Sequence, residues 1–359
     1  MDNLYTFALY GIAVLGVVVI VLSAYAVLTR WLSDRRQTRA SRLRPLIREA
    51  IDGYLNASVS LEDAQRALAV DPGLGLGVLL AVASVRTREH QLRLRPLAEH
   101  LGFEQQQSRA LTHRNPTTRA RAAVHLGYLG SDAAGSGLMT ALHDEQLDVR
   151  LAAAQALVQM RRAVAVVPIL RALALPGRWP LQRATEVLYG FGAEAIAPLR
   201  HLLDSRAEHL PPAMLAVAIN VLGLLGDRAT AGPVAAWLDH DDTEIRVAAA
   251  KALGGMGAPE VVSFLAHALR DSEWEVRSMA AKSLGRLREP QAIPALERAL
   301  TDRAWWVRCN AAEALAELGA VGVATLKRIV ATNEDPFARD ISQQVLEERN
   351  LVPALEAVP

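Results

Sequence analysis

The sequence predicts an all-α protein: an α-solenoid of helical hairpins behind one N-terminal transmembrane helix. Three observations predict it. Hydrophobic residues make up 51% of the 359 residues and aromatics only 5%, so the apolar content is Ala, Leu and Val. Ala and Leu lose little side-chain freedom in a helix, and Val is tolerated there. A short phrase, seen as EIRVAAAKAL, EVRSMAAKSL and WVRCNAAEAL, returns every 31 residues. Near the start, 26 consecutive residues from Leu4 to Thr29 are uncharged and mostly apolar.

As a helix, the 4–29 run is about 39 Å long, against the roughly 30 Å hydrocarbon core of a bilayer. Tyr5 and Trp31 stand near its ends, where amphipathic rings favour the interface. It does not read as a signal peptide, because no basic residue precedes it and it is about twice a usual h-region. Gly11 and Gly16 are five apart, so no GxxxG dimer motif is present. Behind the run come Arg30, Arg35, Arg36, Arg39, Arg42, Arg44 and Arg48. The positive-inside rule then gives a single-pass protein of the cell inner membrane, N-terminus outside and repeats in the cytoplasm. Each of these Arg contributes about 1 kcal/mol beside an anionic leaflet, so residues 30–48 are expected to bind anionic lipid headgroups.

Charge separates this segment from the rest. The net charge is +1, but residues 1–48 carry +5 and residues 49–359 carry −4. A mildly acidic body argues against a phosphate backbone as partner. The basic residues are 36 Arg and three Lys, a bias that reads as GC-rich coding rather than site chemistry. The single Cys309 excludes an internal disulfide framework and a cysteine-based metal cluster.

Residues 49–114 follow the repeat less well and read as degenerate helices forming an N-terminal cap. Ser60 and Asp63 suit a helix start. GVLLAVASV (77–85) is too short to span a bilayer and reads as a buried helix. GLGLG (73–77) lacks the G-x-G-x-x-G spacing of a nucleotide loop.

From 115 to 350 the repeat is regular. A reference position falls at Arg119, Arg150, Leu181, Leu215, Arg246, Arg277, Arg308 and Arg339. All intervals are 31 except one of 34, which predicts a longer loop in SRAEHLPP (205–212). Seven residues past each reference stands Leu126, Leu157, Leu188, Leu222, Leu253, Leu284, Leu315 or Leu346. A further apolar residue often follows three later, such as Met256 or Leu287, which gives one face of an amphipathic helix. Ala pairs such as Ala280–Ala281 allow close helix approach. Gly130, Gly192, Gly226, Gly257 and Gly319 fit C-terminal caps. Shorter second helices are expected over VVSFLAHAL (261–269) and AIPALERAL (292–300). Eight such hairpins stack into an α-solenoid. The polar Ser342–Gln343 and the following Glu347, Glu348 and Arg349 suit a capping repeat, and 351–359 is a tail.

The phrase D-x-x-x-x-VR-x-x-AA-x-AL-G resembles the HEAT repeat, especially the short bacterial type found in phycobilisome lyases. The resemblance covers about 115–350. It implies a right-handed, armadillo-like superhelix whose second helices line a concave face that binds a protein partner. It permits a client among membrane envelope-assembly enzymes, such as a glycosyltransferase, or among signalling proteins.

Nothing in the sequence assembles a catalytic site, a cofactor site or a metal site, and the expectation is a scaffold rather than an enzyme. His240–Asp241–Asp242 holds the loop slot of Asp144, Asp271 and Asp302, where acceptors cap a helix N-terminus. The recurrent Arg reads as a ladder to an Asp or carbonyl of an adjacent repeat. Treated as exposed pairs, such contacts are worth about 0–1 kcal/mol, so Leu284→Ala is expected to cost more than Arg277→Ala. The candidate partner-binding residues are Trp274, Trp305, Trp306 and Phe337, which repeat beside the reference position. Glu244 and Glu275 (and Asp148 before them) hold the slot of Trp306, so the edge turns acidic and suits a basic or amphipathic segment. Two other functions compete. A bilin lyase or isomerase follows from the lyase-type resemblance, and nucleic-acid binding from what such folds support.

Overall fold

In the computed structural model, residues 2–130, 132–173, 181–206, 210–258 and 260–351 are described, and their regular structure is helical throughout. The chain forms two compact units, residues 1–112 with 128–134, and residues 113–127 with 135–359.

The first unit begins with α1, Asp2–Leu55, a single helix of 54 residues. The backbone therefore does not break at 29 or 48, the boundaries read from composition. The side chains of residues 2–21, 28, 32–34 and 36 lie outside the described residues, and with them most of the Leu4–Thr29 run and the Arg36 side chain. Among the described residues no helix is long and apolar enough to cross a membrane. At its C-terminal end α1 buries Ile47, Ile51 and Leu55, four apart on one face. Against that end pack α2 (Leu61–Ala69) and α3 (Pro72–Ser84), followed by α4 (Arg88–His100) and α5 (Phe103–Ala110). Ser60 caps α2 by accepting the Asp63 amide at 3.2 Å. Residues 73–77 lie inside α3, so GLGLG is helix and not a phosphate loop, and Val78, Leu79, Leu80 and Val82 are buried as a core helix requires.

The second unit is built from helical hairpins. Its first helices include α6 (Pro116–Leu129), α8 (Leu147–Gln159), α10 (Leu181–Tyr189), α12 (Pro212–Leu224), α14 (Thr243–Met256), α16 (Trp274–Leu287), α18 (Trp305–Glu317) and α20 (Pro336–Glu348). The second helices are α7 (Ala134–Ala141), α9 (Val166–Leu173), α11 (Ile196–Arg206), α13 (Ala231–Ala235), α15 (Val261–Ala268), α17 (Ile293–Ala299) and α19 (Ala320–Thr332). From α12 to α20 each first helix packs on the next, which makes one layer, and the second helices make the other. The longer loop predicted near 205–212 falls between α11 and α12, where residues 207–209 lie outside the described residues.

The eight Leu at the seventh position past each reference are all buried, with relative exposures of 0–2%, and form the spine between the layers. The second apolar row is buried at Leu129, Phe191 and Met256 and only half-buried at Met160, Leu225, Leu287 and Leu318. Close approach relies on more than the Ala pairs. A Cβ built at Gly285 would lie 2.8 Å from Ala314 Cα of the next first helix, so the backbones meet through the missing side chain. The positive-φ residue after the first helices from α8 to α20 is Gly192, Gly226, Gly257 or Gly319, with φ of 62–73°, but Arg161, Arg288 and Asn350 hold the same slot at φ 53–54°. Glycine is thus the usual solution at that slot and not an absolute one.

Candidate partner-binding rim

The loop before each first helix is fixed by its own reference Arg. The Nη1 of Arg277 donates to the carbonyls of Asp271 and Ser272 at 2.8 and 2.9 Å. The same two carbonyls, six and five residues back, are held by Arg119, Arg150, Arg246 and Arg308. Three of these Arg also reach forward. Arg119 grips Asp144, Arg246 grips Asp271 and Arg277 grips Asp302, each through Nε and Nη2 at 2.7–3.1 Å. The gripped Asp then accepts the amide two residues on, at Gln146, Glu273 and Ala304. One Arg therefore ties its own loop to the loop of the next repeat, and the next Asp holds the amide of the residue that precedes the following helix.

These rungs are not exposed pairs. The Arg277 side chain is 6% exposed and Asp302 13%, with Arg246 and Asp271 at 11% each. Burial by itself raises the Asp302 carboxyl, but the Arg277 guanidinium and the Ala304 amide outweigh it and hold the group below the usual carboxylate range. Asp271 is lowered in the same way, against burial, by Arg246 and the Glu273 amide. At Asp144 the Arg119 hydrogen bond is the largest cause of lowering. The ranking of Leu284→Ala over Arg277→Ala rested on solvent exposure, which groups this buried do not have.

The loop slot accepts other acceptors as well. His240 Nδ1 takes the Asp242 amide at 2.9 Å, as Asp271 takes that of Glu273. Leu215 holds the preceding reference position, so no Arg asks for a carboxylate there. His113 and Asn333 do the same for Asn115 and Asp335. His240 orders the loop and Asp242 caps α14 by accepting the Glu244 amide at 2.8 Å; among the described residues no three His, Cys, Asp or Glu side chains come together as a metal requires. Burial and the carboxylates of Glu313 and Glu348 push the Cys309 thiol up, away from thiolate chemistry.

The aromatic candidates stand on the rim above this ladder. Trp274 and Trp305 are the first residues of α16 and α18, and Trp306 and Phe337 the second residues of α18 and α20. They are 40%, 47%, 54% and 62% exposed, so none of the four is part of the core. Trp305 and Trp306 meet edge to face at 4.6 Å. Glu244 and Glu275 are exposed at the matching positions of α14 and α16. Because α14, α16, α18 and α20 pack in sequence, the four positions form one edge, acidic at one end and aromatic at the other. This edge belongs to the N-termini of the first helices, so it is a different surface from the second-helix face that the repeat resemblance implies for binding.

In the first unit, Arg30, Arg35, Arg39, Arg42, Arg44 and Arg48 are exposed along α1. Arg35 lies over the Trp31 ring at 3.8 Å, and Arg48 is 3.8 Å from Asp52. Trp31, Arg35, Arg39, Arg42, Leu43 and Val70 line a concavity of about 760 Å³.

Known families and folds agree with the repeat. The family described as HEAT repeats matches residues 107–189, 196–273 and 264–347. No curated protein matches the chain. Among solved structures, importin beta aligns with a TM-score of 0.51 at 14% identity, over 85% of this chain and 54% of its own. Human deoxyhypusine hydroxylase aligns at 20% identity with a TM-score of 0.31, over 71% of this chain and 99% of its own. The CpcE–CpcF phycocyanin lyase of Nostoc aligns at 20% identity with a TM-score of 0.33, over 68% and 94%. At these identities the importin likeness speaks for the solenoid fold alone, and the two weaker alignments decide nothing further.

Proposed function

Because the chain belongs to the HEAT-repeat family, we propose that it is a membrane-tethered cytoplasmic scaffold, not an enzyme, that holds a protein partner on its aromatic rim. The observation that carries the reading is the exposed set Trp274, Trp305, Trp306 and Phe337, standing together on adjacent first helices. Large exposed aromatics are costly to leave in water and are typical binding anchors. The acidic end at Glu244 and Glu275 favours a partner segment with basic residues beside its apolar ones.

The uncharged 4–29 run and the Arg that follow it support the tether, since such a basic flank favours the cytoplasmic side and the anionic lipids of the inner leaflet. A tether raises the effective concentration of a membrane-bound client, so a modest rim suffices. An envelope-assembly enzyme, such as a membrane glycosyltransferase, or a membrane signalling protein is the client class this arrangement serves.

The test is crosslinking in native membranes from a photoreactive residue placed at Lys282, compared between the wild-type chain and a Trp274→Ala/Trp305→Ala/Trp306→Ala variant. The expected result is one dominant membrane-associated partner that disappears in the triple variant. Unchanged capture means that the aromatics serve packing only.

A further inference from the structure

The arginine ladder ends one rung short. Arg119, Arg246 and Arg277 each close their Nε–Nη2 fork on the Asp 25 residues ahead. The position 25 residues ahead of Arg308 is Asn333. Asn333 Oδ1 is taken up by the Asp335 amide at 2.9 Å, as an Asp oxygen would be. An amide offers one acceptor oxygen at this position, where the Asp of each filled rung offers two. Arg308 keeps its backward bonds to the carbonyls of Asp302 and Arg303 at 2.8 and 3.3 Å. Its Nε, shielded from solvent, has no hydrogen-bond partner, and its guanidinium lies 5.0 Å from the Phe337 ring centroid.

An unpaired buried N–H on a charged group is costly, and such groups are rare unless something satisfies them. Arg308 stands on the same helix as Trp305 and Trp306, its guanidinium over the Phe337 ring, so a partner group reaches its Nε where the Asn333 side chain gives way. The planar Arg308 donors match a carboxylate in both charge and geometry, as the three filled rungs demonstrate within this chain. Building on the scaffold reading, we infer that Arg308 receives a carboxylate from the partner: an Asp or Glu side chain set among apolar residues that cover Phe337 and the Trp pair. The partner segment thus carries basic residues toward Glu275 and a single acidic residue at the Arg308 end. Arg150 also has an unpaired Nε, but residues 174–180 ahead of it lie outside the described residues, and it takes no part in the proposal.

The test uses the full chain in detergent micelles and a peptide array in which one Glu sits among Leu and Arg residues, each peptide paired with its Gln counterpart. Binding is read by the fluorescence of the rim Trp. The expected result is a Glu-over-Gln preference of roughly tenfold, as a charge-assisted bond against a neutral one implies. Asn333→Asp supplies the missing oxygen from within, so it should abolish that preference while protecting α18 and α20 more strongly against hydrogen exchange. Arg308→Gln should abolish the preference as well, and Arg339→Gln, one rung on, should leave it intact. A missing Glu preference, a preference that survives Asn333→Asp, or no added protection in that variant would each overturn the carboxylate site. Partner capture on the rim is scored separately in membranes, so the scaffold reading stands or falls on its own result.

Discussion

Replacing Arg277 by Ala tests whether the ladder is structural framework or surface decoration. The substitution removes four hydrogen bonds, two to Asp302 and two to the carbonyls of Asp271 and Ser272. It leaves Asp302, a carboxylate only 13% exposed, with the Ala304 amide as its remaining hydrogen-bond partner. Breaking a buried pair from one side costs about 3–5 kcal/mol, because the surviving charge is left without its compensation. Truncating the fully buried Leu284 costs about 2–5 kcal/mol, so the two variants should be of similar severity. Repeat arrays do not always unfold as one step, so the assay is native-state hydrogen exchange across α16 and α18, supported by denaturant titration. Combining Arg277→Ala with Asp302→Asn should recover part of the loss, a coupling of about 1–3 kcal/mol in a double-mutant cycle. An Arg277→Ala cost below about 1 kcal/mol, or additivity within error, would refute the reasoning and return the ladder to the status of a solvated ion pair.

Two further outcomes follow from the same geometry. Asp144, Asp271 and Asp302 have carboxyls lowered in the folded state, so their stabilisation is fully present above the unfolded value near 3.8 and is lost as pH falls through the lower folded values. Denaturation midpoints should therefore drop on acidification below about pH 4, and the drop should be shallower in Asp302→Asn; parallel curves would count against the linkage. Gly285→Val places a branched side chain where even a Cβ lies 2.8 Å from Ala314 Cα, and should cost about 2–3 kcal/mol by forcing α16 and α18 apart. A neutral melting temperature for that variant would mean that the first-helix layer is looser than the packing implies.

Much of the repeat unit was legible in the sequence because its periods are set by local physics. The 31-residue interval, the Leu at the seventh position and the glycine after several first helices are each a one-repeat property; the Leu map onto buried spine residues, and Gly192, Gly226, Gly257 and Gly319 onto positive-φ caps. Asp242 was legible as a cap for the same reason, since its role depends on the Glu244 amide two residues away. What the sequence left open depends on the neighbouring repeat. The ladder to an adjacent Asp was read from the recurrent Arg, but which Asp each fork takes, 25 residues ahead, shows only once two loops are placed side by side, and so does the burial that makes the pair expensive to break.

The site divides in the same way. The aromatic slot could be read from aligned repeats, and the sequence determined that Trp274, Trp305, Trp306 and Phe337 recur beside the reference position. Tertiary structure decided that this slot lies on the rim of the first helices rather than on the second-helix face, and that Phe337 covers an Arg without its carboxylate. An Asn in place of an Asp looks conservative in a sequence. It matters here because an amide offers one acceptor oxygen where each filled rung uses both oxygens of a carboxylate.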